Sequence, residues 1–240
     1  SQIFENWEDL VASKDIDIVI IAVPNKFLLH IALKALENGK HILAEKPFGR
    51  TVEESKAMLQ AAEKNKCLIK VGFNHRFHPA ILRAKELFNQ GIIGKLLFIR
   101  SRYGHGGRLK MEKEWRFNKD ISGGGELLDQ GVHLIDLCRW FAGEFDEVYG
   151  IAETKFWNID LEDNAFVILR NTNVTASFHV SITNWKNIFS FEAFGDKGFL
   201  TVQGLGRSYG LETLTIGKRK PEFGVPDTKT FGFLKRYMLV

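Results

Sequence analysis

Hydrophobic and polar positions along the first third of the chain switch between two periods. Residues 16–23, apolar and rich in β-branched residues apart from Asp17, show the pattern of a strand covered on both faces, and Pro24-Asn25 ends it. Over 26–38 the apolar residues Phe27, Leu28, Ile31, Ala32, Ala35 and Leu36 recur at helical spacing, with Gly39 as the stop. A second buried strand covers 42–45. Thr51 and Glu54 make a capping box that opens a helix running to Lys64, and a third strand covers 68–73. Strand, helix, strand, helix, strand predicts a parallel sheet with right-handed crossovers.

A further helix runs from Pro79 to Gln90, ahead of Gly91. Beyond Lys95 the period falls to two, and 95–103, 147–155, 164–169, 174–182, 188–194 and 199–203 read as strands. Val174, Ala176, Phe178, Val180 and Ile182 alternate most strictly, and Gly195-Asp196-Lys197-Gly198 reads as a hairpin turn. This half predicts a large, mostly antiparallel open sheet packed on helices, with one face dry and the other wet or docked. Phe166, Phe178, Phe189, Phe191 and Phe194 are candidates for the docked face, which predicts a homo-oligomer, dimer or tetramer, through the sheet. The fold class is thus α/β plus α+β: a parallel sheet over 1–74 and an α+β domain over 75–240.

Between the strands at 95–103 and 147–155 lies 122–136, SGGGELLDQGVHLID. It reads as a helix with Ser122 at the N-cap, and at ~100° per residue Asp129, His133 and Asp136 share one stripe. Two readings stand: a surface or capping pair, or a dyad in which Asp129 fixes the His133 tautomer and raises its basicity. Asp, His and Asp offer three metal ligands, but no second His or Cys cluster completes a shell, so no metal site is expected. Gly131 costs about 1 kcal/mol inside a helix, which marks a close approach.

The 240 residues are 45% hydrophobic and 26% charged, which describes an ordinary globular protein large enough for two parts. A net charge of +4 without any basic block excludes a nucleic-acid footprint. Cys67 and Cys138 each sit in an apolar run and read as buried free thiols of a reducing, cytoplasmic compartment. The run 18–23 is far too short for a membrane span, and no membrane partner is expected. The chain starts at Ser1 without methionine and ends at 237–240 without an evident closing element, so a fragment is expected.

Ligands of parallel sheets collect beyond the carboxyl ends of the strands, which is where Pro24, Asn25, Glu45, Lys46, Asn74 and Arg76 fall. Four stretches then point one way. IVIIAVPNKFLLHIALKALENGKHILAEK with Pro47 next, VGFNHRFHP, Trp115-Arg116 followed by SGGGELLDQGVHLID, and FGDKGFL with SYGLETLT together resemble the Gfo/Idh/MocA oxidoreductases over most of the chain. The family's opening strand, Gly-x-Gly-x-x-Gly turn and ribose-reading residue have no counterpart, and neither does its C-terminal end. A polypeptide of this extent is expected to bind cofactor poorly.

The resemblance makes the parallel sheet over 1–74 a partial Rossmann-type sheet and implies NAD or NADP as cofactor and a sugar, inositol or related polyol as substrate. It gives Lys46, Asp129 and His133 the catalytic roles: His133 as base, Asp129 as its orienter and Lys46 as the charge favouring an alkoxide. It also implies a cis bond before Pro47, against the usual trans. Pro24, Asn25, His30, Glu45, Lys46, Trp115 and Arg116 become candidates for cofactor contact. His30 has the alternative of a satisfied helix residue, and Trp115 that of a core anchor. Arg76, Arg102, Tyr103, His105 and Arg108 become candidates for substrate, and Asp136 for substrate or for support of its helix. Two other functions remain: a cofactor-dependent glycosidase using transient oxidation, and a non-catalytic protein that senses sugar or cofactor.

Overall fold

The structure is a computed structural model, and it describes residues 2–222 and 224–233. After a short helix α1 (Trp7–Ala12) come β1 (Ile18–Ile21), α2 (Asn25–Glu37), β2 (His41–Ala44), α3 (Val52–Lys64) and β3 (Ile69–Val71). The three strands pair in parallel in the order β1-β2-β3. Thr51 caps α3, its Oγ1 accepting from the Glu54 N–H at 3.2 Å. The Glu54 carboxylate does not return to Thr51 and accepts instead from the Arg50 backbone N–H and guanidinium.

Val19, Ile21, Leu28, Ala32, Leu36, Ile42 and Met58 form the core of this half. The expectation of strands covered on both faces is not met, because Ile18 and Ile20 are exposed. Strands added in one direction by right-handed crossovers place both connecting helices on the same face. Among the described residues, the opposite face of the sheet therefore stays bare.

A one-turn segment, Asn74–Phe77, leads into α4 (Pro79–Asn89) and β4 (Leu96–Gly104). Then follow α5 (Lys119–Ser122), a wide π turn at Leu127–Gly131, α6 (Val132–Ala142), β5 (Glu147–Glu153), β6 (Asn164–Arg170), β7 (Thr175–Ser181), β8 (Ile188–Gly195), β9 (Gly198–Gln203), β10 (Glu212–Lys218) and β11 (Asp227–Phe233). The eight strands lie in the order β11-β10-β9-β8-β4-β7-β6-β5, with only β4 and β7 paired in parallel. Residues 195–198 form the expected hairpin turn between β8 and β9. Sequence periodicity missed β10 and β11. The β11 side chains are almost all exposed, so no dry face imposes a period of two on that strand. The expected lack of a closing element at 237–240 lies outside the described residues.

α4 and α6 cover one face of this sheet, where Ala80, Ile81, Leu134, Leu137 and Phe141 meet Val167, Phe178, Phe189 and Phe191. Three of the five phenylalanines expected on the docked face are therefore core residues. Strand parity explains the correction: Phe189 and Phe191 share a face with buried Ala193, whereas Phe194 lies on the other and stacks on Phe98 at 4.6 Å. Phe191 is 1% exposed and Phe166 52%. Chemical denaturation is expected to show a loss of about 3–5 kcal/mol for Phe191→Ala, and a loss below about 1 kcal/mol for Phe166→Ala.

Candidate active site

The carboxyl end of β2 carries Glu45 and Lys46, and the Lys46-Pro47 peptide is cis. Lys46 Nζ donates to the backbone oxygen of Asp129 at 2.6 Å and to its Oδ1 at 2.5 Å, joining residues 83 positions apart. Arg116 Nε lies 3.8 Å from the other carboxylate oxygen. Asn25 Nδ2 donates to the Ser122 oxygen at 2.8 Å, and Arg50 Nη1 to the Asp120 oxygen at 2.7 Å. The strand ends of the first sheet are thus tied to the segment before α6.

Ser122 does not cap the following helix. It is the last residue of α5, and Gly123 follows at φ +85°, where a Cβ would meet Arg50 Cβ at 2.5 Å. The cap comes from a distant residue: Glu162 Oε1 accepts from the N–H groups of Gly125 (3.0 Å) and Leu127 (3.1 Å), while the Glu162 carbonyl accepts from Glu126. A carboxylate here meets both the orphan donors and the positive end of the helix. Gly131 fulfils its expectation of close approach, since a Cβ would sit 2.7 Å from Leu127 Cδ1 and 3.5 Å from Val180 Cγ2.

His133 is buried and stacks on His75, with ring centroids 3.9 Å apart and planes 24° apart. Its Nδ1 has no hydrogen-bond partner among the described residues. The expected Asp129–His133 hydrogen bond is therefore absent, because the Asp129 carboxylate is taken by Lys46. The even 100° step behind that expectation also does not run through the π turn. Nor is His133 made more basic: its pKa is pushed down to about 3, first by burial, then by the Lys46 and His78 charges.

A cavity of about 300 Å³ is lined by Ala22, Val23, Pro24, Asn25, Glu45, Lys46, Trp115, Arg116 and Asp129. Six of the seven cofactor candidates thus meet at one place, with the Arg116 guanidinium 4.6 Å from the Trp115 ring centroid. His30 does not join them. It is exposed on α2 and packs edge-on against Trp7 at 5.3 Å.

The substrate candidates divide. Arg76 holds Asp136 through two bonds of 2.7 and 2.5 Å and lies over Trp140, so each occupies the other. Tyr103 packs against His75 (5.1 Å) and His133 (6.3 Å), and burial drives its phenol pKa well up. Burial lowers the His105 pKa although the Asp129 charge acts against this, and its Nδ1 accepts from the Gly107 N–H at 2.9 Å. Arg108 pairs with Glu114, and Arg102 lies on the outer side of the sheet. Sequence reasoning missed Glu126, Gln130, Tyr209 and Glu162. The first two were visible as polar residues among apolar ones in 122–136. Nothing local marked the others.

A model of the Gfo/Idh/MocA oxidoreductase family's NAD-binding Rossmann fold matches residues 1–73, and one of its C-terminal domain matches residues 81–201. The chain belongs to the Gfo/Idh/MocA oxidoreductase family. A levoglucosan dehydrogenase of Pseudarthrobacter phenanthrenivorans is 40% identical over 157 residues, which is 63% of this chain and 40% of that protein. An NADP(+)-type D-xylose 1-dehydrogenase of Haloarcula marismortui is 30% identical over 144 residues, 57% of this chain and 39% of the relative. A solved levoglucosan dehydrogenase complex with NADH and levoglucosan superposes with a TM-score of 0.85 at 29% identity, covering 96% of this chain and 65% of that one. The chain spans less than two thirds of the length of each of these.

One consequence of His133 burial is open to measurement. The unfolded chain takes up a proton on this ring below its ordinary value of 6.5, and the folded chain takes it up only near 3. Stability contributed by the neutral ring is thus complete above 6.5 and falls as pH drops through that window, by about 2 kcal/mol at about pH 5. Denaturation at the two ends of this range is expected to show a shallower acid slope for His133→Asn than for the unmodified protein.

Proposed function

We propose that the protein carrying this chain is an NAD(P)-dependent dehydrogenase that moves a hydride between the nicotinamide and a hydroxyl-bearing or keto carbon of a sugar, inositol or related polyol. The observation that carries the reading is the Lys46 ammonium, held by Asp129 in the wall of the 300 Å³ cavity. A cavity of this size is at the low end of small-molecule sites and suits the nicotinamide-ribose end of such a cofactor. Its lining fits in kind: Trp115 offers a ring to stack on, Arg116 a guanidinium, and Asn25 and Glu45 groups for ribose hydroxyls. NAD or NADP bound there would supply the hydride acceptor.

The remaining work falls to the chain's own residues. Two of the three Lys46 N–H donors go to Asp129, leaving the third for an oxygen in the cavity. That charge favours a substrate oxygen that is losing its proton. His133 is neutral throughout the physiological range and offers a ring nitrogen to receive that proton. Asp129 orients Lys46, and Asp136 with Arg76 braces α6 from behind. The two buried, unpaired thiols, Cys67 and Cys138, support a cytoplasmic setting.

We further infer that a second copy covers the outer face of the large sheet. Tyr149, Ile151, Phe166 and Ile168 are exposed there on directly paired strands and line a cavity of about 490 Å³. Sedimentation of the full-length protein is expected to show an oligomer that Phe166→Asp with Ile151→Asp converts to a monomer. A monomer before mutation would remove this inference.

Assays of NAD(P)H formation by the full-length protein with a panel of monosaccharides and anhydrosugars test the activity. Lys46→Met is expected to lower kcat by about 100-fold or more while leaving the thermal midpoint nearly unchanged. Release of a glycoside leaving group with no net NAD(P)H would favour the glycosidase reading instead.

A further inference from the structure

Behind the cavity wall lies a polar cluster that the proposed chemistry does not use. Glu126 is 2% exposed, and its Oε1 has no hydrogen-bond partner among the described residues. Gln130, four residues on across the π turn, is also buried, and its Oε1 is likewise unpartnered. Both side chains act on Tyr209. Burial pushes the Tyr209 phenol up, while hydrogen bonding with Gln130 and then Tyr103 acts the other way. Glu126 lies close enough to act on both phenols electrostatically.

The Gln130 carbonyl oxygen, an acceptor, is buried and still needs a donor. Another buried group without a partner, four residues back along the same turn, is the Glu126 carboxyl. A carboxylate accepts only, whereas a carboxylic acid carries one O–H to donate. One proton on Glu126 therefore satisfies two buried acceptors that otherwise both carry a desolvation cost.

The charges around Glu126 agree. Asp129 on its own turn and Glu162 and Asp163 from the loop before β6 oppose a negative charge there. Lys46, from the end of β2, acts the other way, and Asp129 already holds it at 2.5 Å. Tyr103 from β4 and Tyr209 complete the surroundings. Burial, followed by Asp129, drives the Glu126 carboxyl well above the ordinary carboxylate range.

We propose that Glu126 is a neutral carboxylic acid whose O–H donates to Gln130 Oε1, making it a positioning residue that orders Gln130, Tyr209 and Tyr103 against the stacked His75 and His133 rings. Tyr103 is the link, packing on both imidazoles. The role in turnover rests on the dehydrogenase reading, but the protonation state does not.

Carbon-13 NMR of the glutamate side chains in the unmodified protein, assigned through the backbone, decides the protonation state without any variant. The expected result is a Glu126 Cδ shift typical of a protonated acid at pH 7, when ordinary glutamates are ionised. A carboxylate shift at that pH overturns the proposal, whatever the enzyme assays show. In turnover, Glu126→Gln places an amide N–H where the acid O–H stood, and kcat is expected to stay within about threefold. Glu126→Ala strands the Gln130 oxygen and is expected to lower kcat by about tenfold or more. The unmodified protein is expected to lose activity as pH rises through the Glu126 titration, a loss missing from Glu126→Gln. Equal damage by Gln and Ala would mean that a carboxylate is required, and would also overturn the proposal.

Discussion

The contact between the Lys46 ammonium and Asp129 is the constraint on which the rest of the site depends. Lys46 stands at the end of a strand in one sheet, and Asp129 on a turn that packs against the other. It contributes little as a stabilising interaction. Lys46 is 17% exposed and Asp129 39%, so solvent screening leaves about 1 kcal/mol or less. Its importance is geometric. Two bonds to one residue, one to the backbone and one to the side chain, leave the ammonium little freedom to swing. Asn25 to Ser122 and Arg50 to Asp120 repeat the device, each with a side-chain donor from the first sheet and a carbonyl of the opposing segment.

That opposing segment is built to receive them. Gly123 lets Arg50 pack against the backbone, and Gly125 leaves room for the Glu162 carbonyl that a Cβ would strike. Glu162 then caps the turn from outside, so the 123–131 segment is ordered by a residue more than 30 positions away. With the turn widened to a π register, the Asp129 carbonyl turns towards Lys46 while His133 enters the core beside His75. Acid and imidazole, four residues apart, end with different partners: one on Lys46, the other stacked on His75.

How much of this the sequence reveals follows from the range of each interaction. The apolar periods of 18–21, 25–37 and 174–182 are local, and they located strands, helices and both sheets. The strand-end rule found Pro24, Asn25, Glu45 and Lys46 because it depends only on topology. What escaped is non-local or lacks a dry face. The Asp129 partner could not be read from its own helix, since the competing ammonium lies 83 residues away. Glu162 as a cap and Tyr209 beside Gln130 have the same cause. The misplaced phenylalanines are different: strand parity against Ala193 and Val167 contained the answer, and residue type alone obscured it.

The reallocation of Asp129 changes the electrostatics of the cleft more than its list of residues. An imidazole oriented by a carboxylate would be drawn towards its protonated form. His133 instead has a cation among its neighbours and, among the described residues, no anionic partner, so burial and Lys46 act in the same direction. The charge that would favour an alkoxide is thus the charge that opposes a proton on the ring. Under the proposed chemistry these effects are compatible only while the substrate oxygen is negative, because that oxygen offsets Lys46 as the ring takes its proton. Once a carbonyl has formed, the offset disappears and the proton on His133 becomes unfavourable again. The ring is then ready to release its proton rather than retain it, which returns the site to the neutral imidazole from which it began.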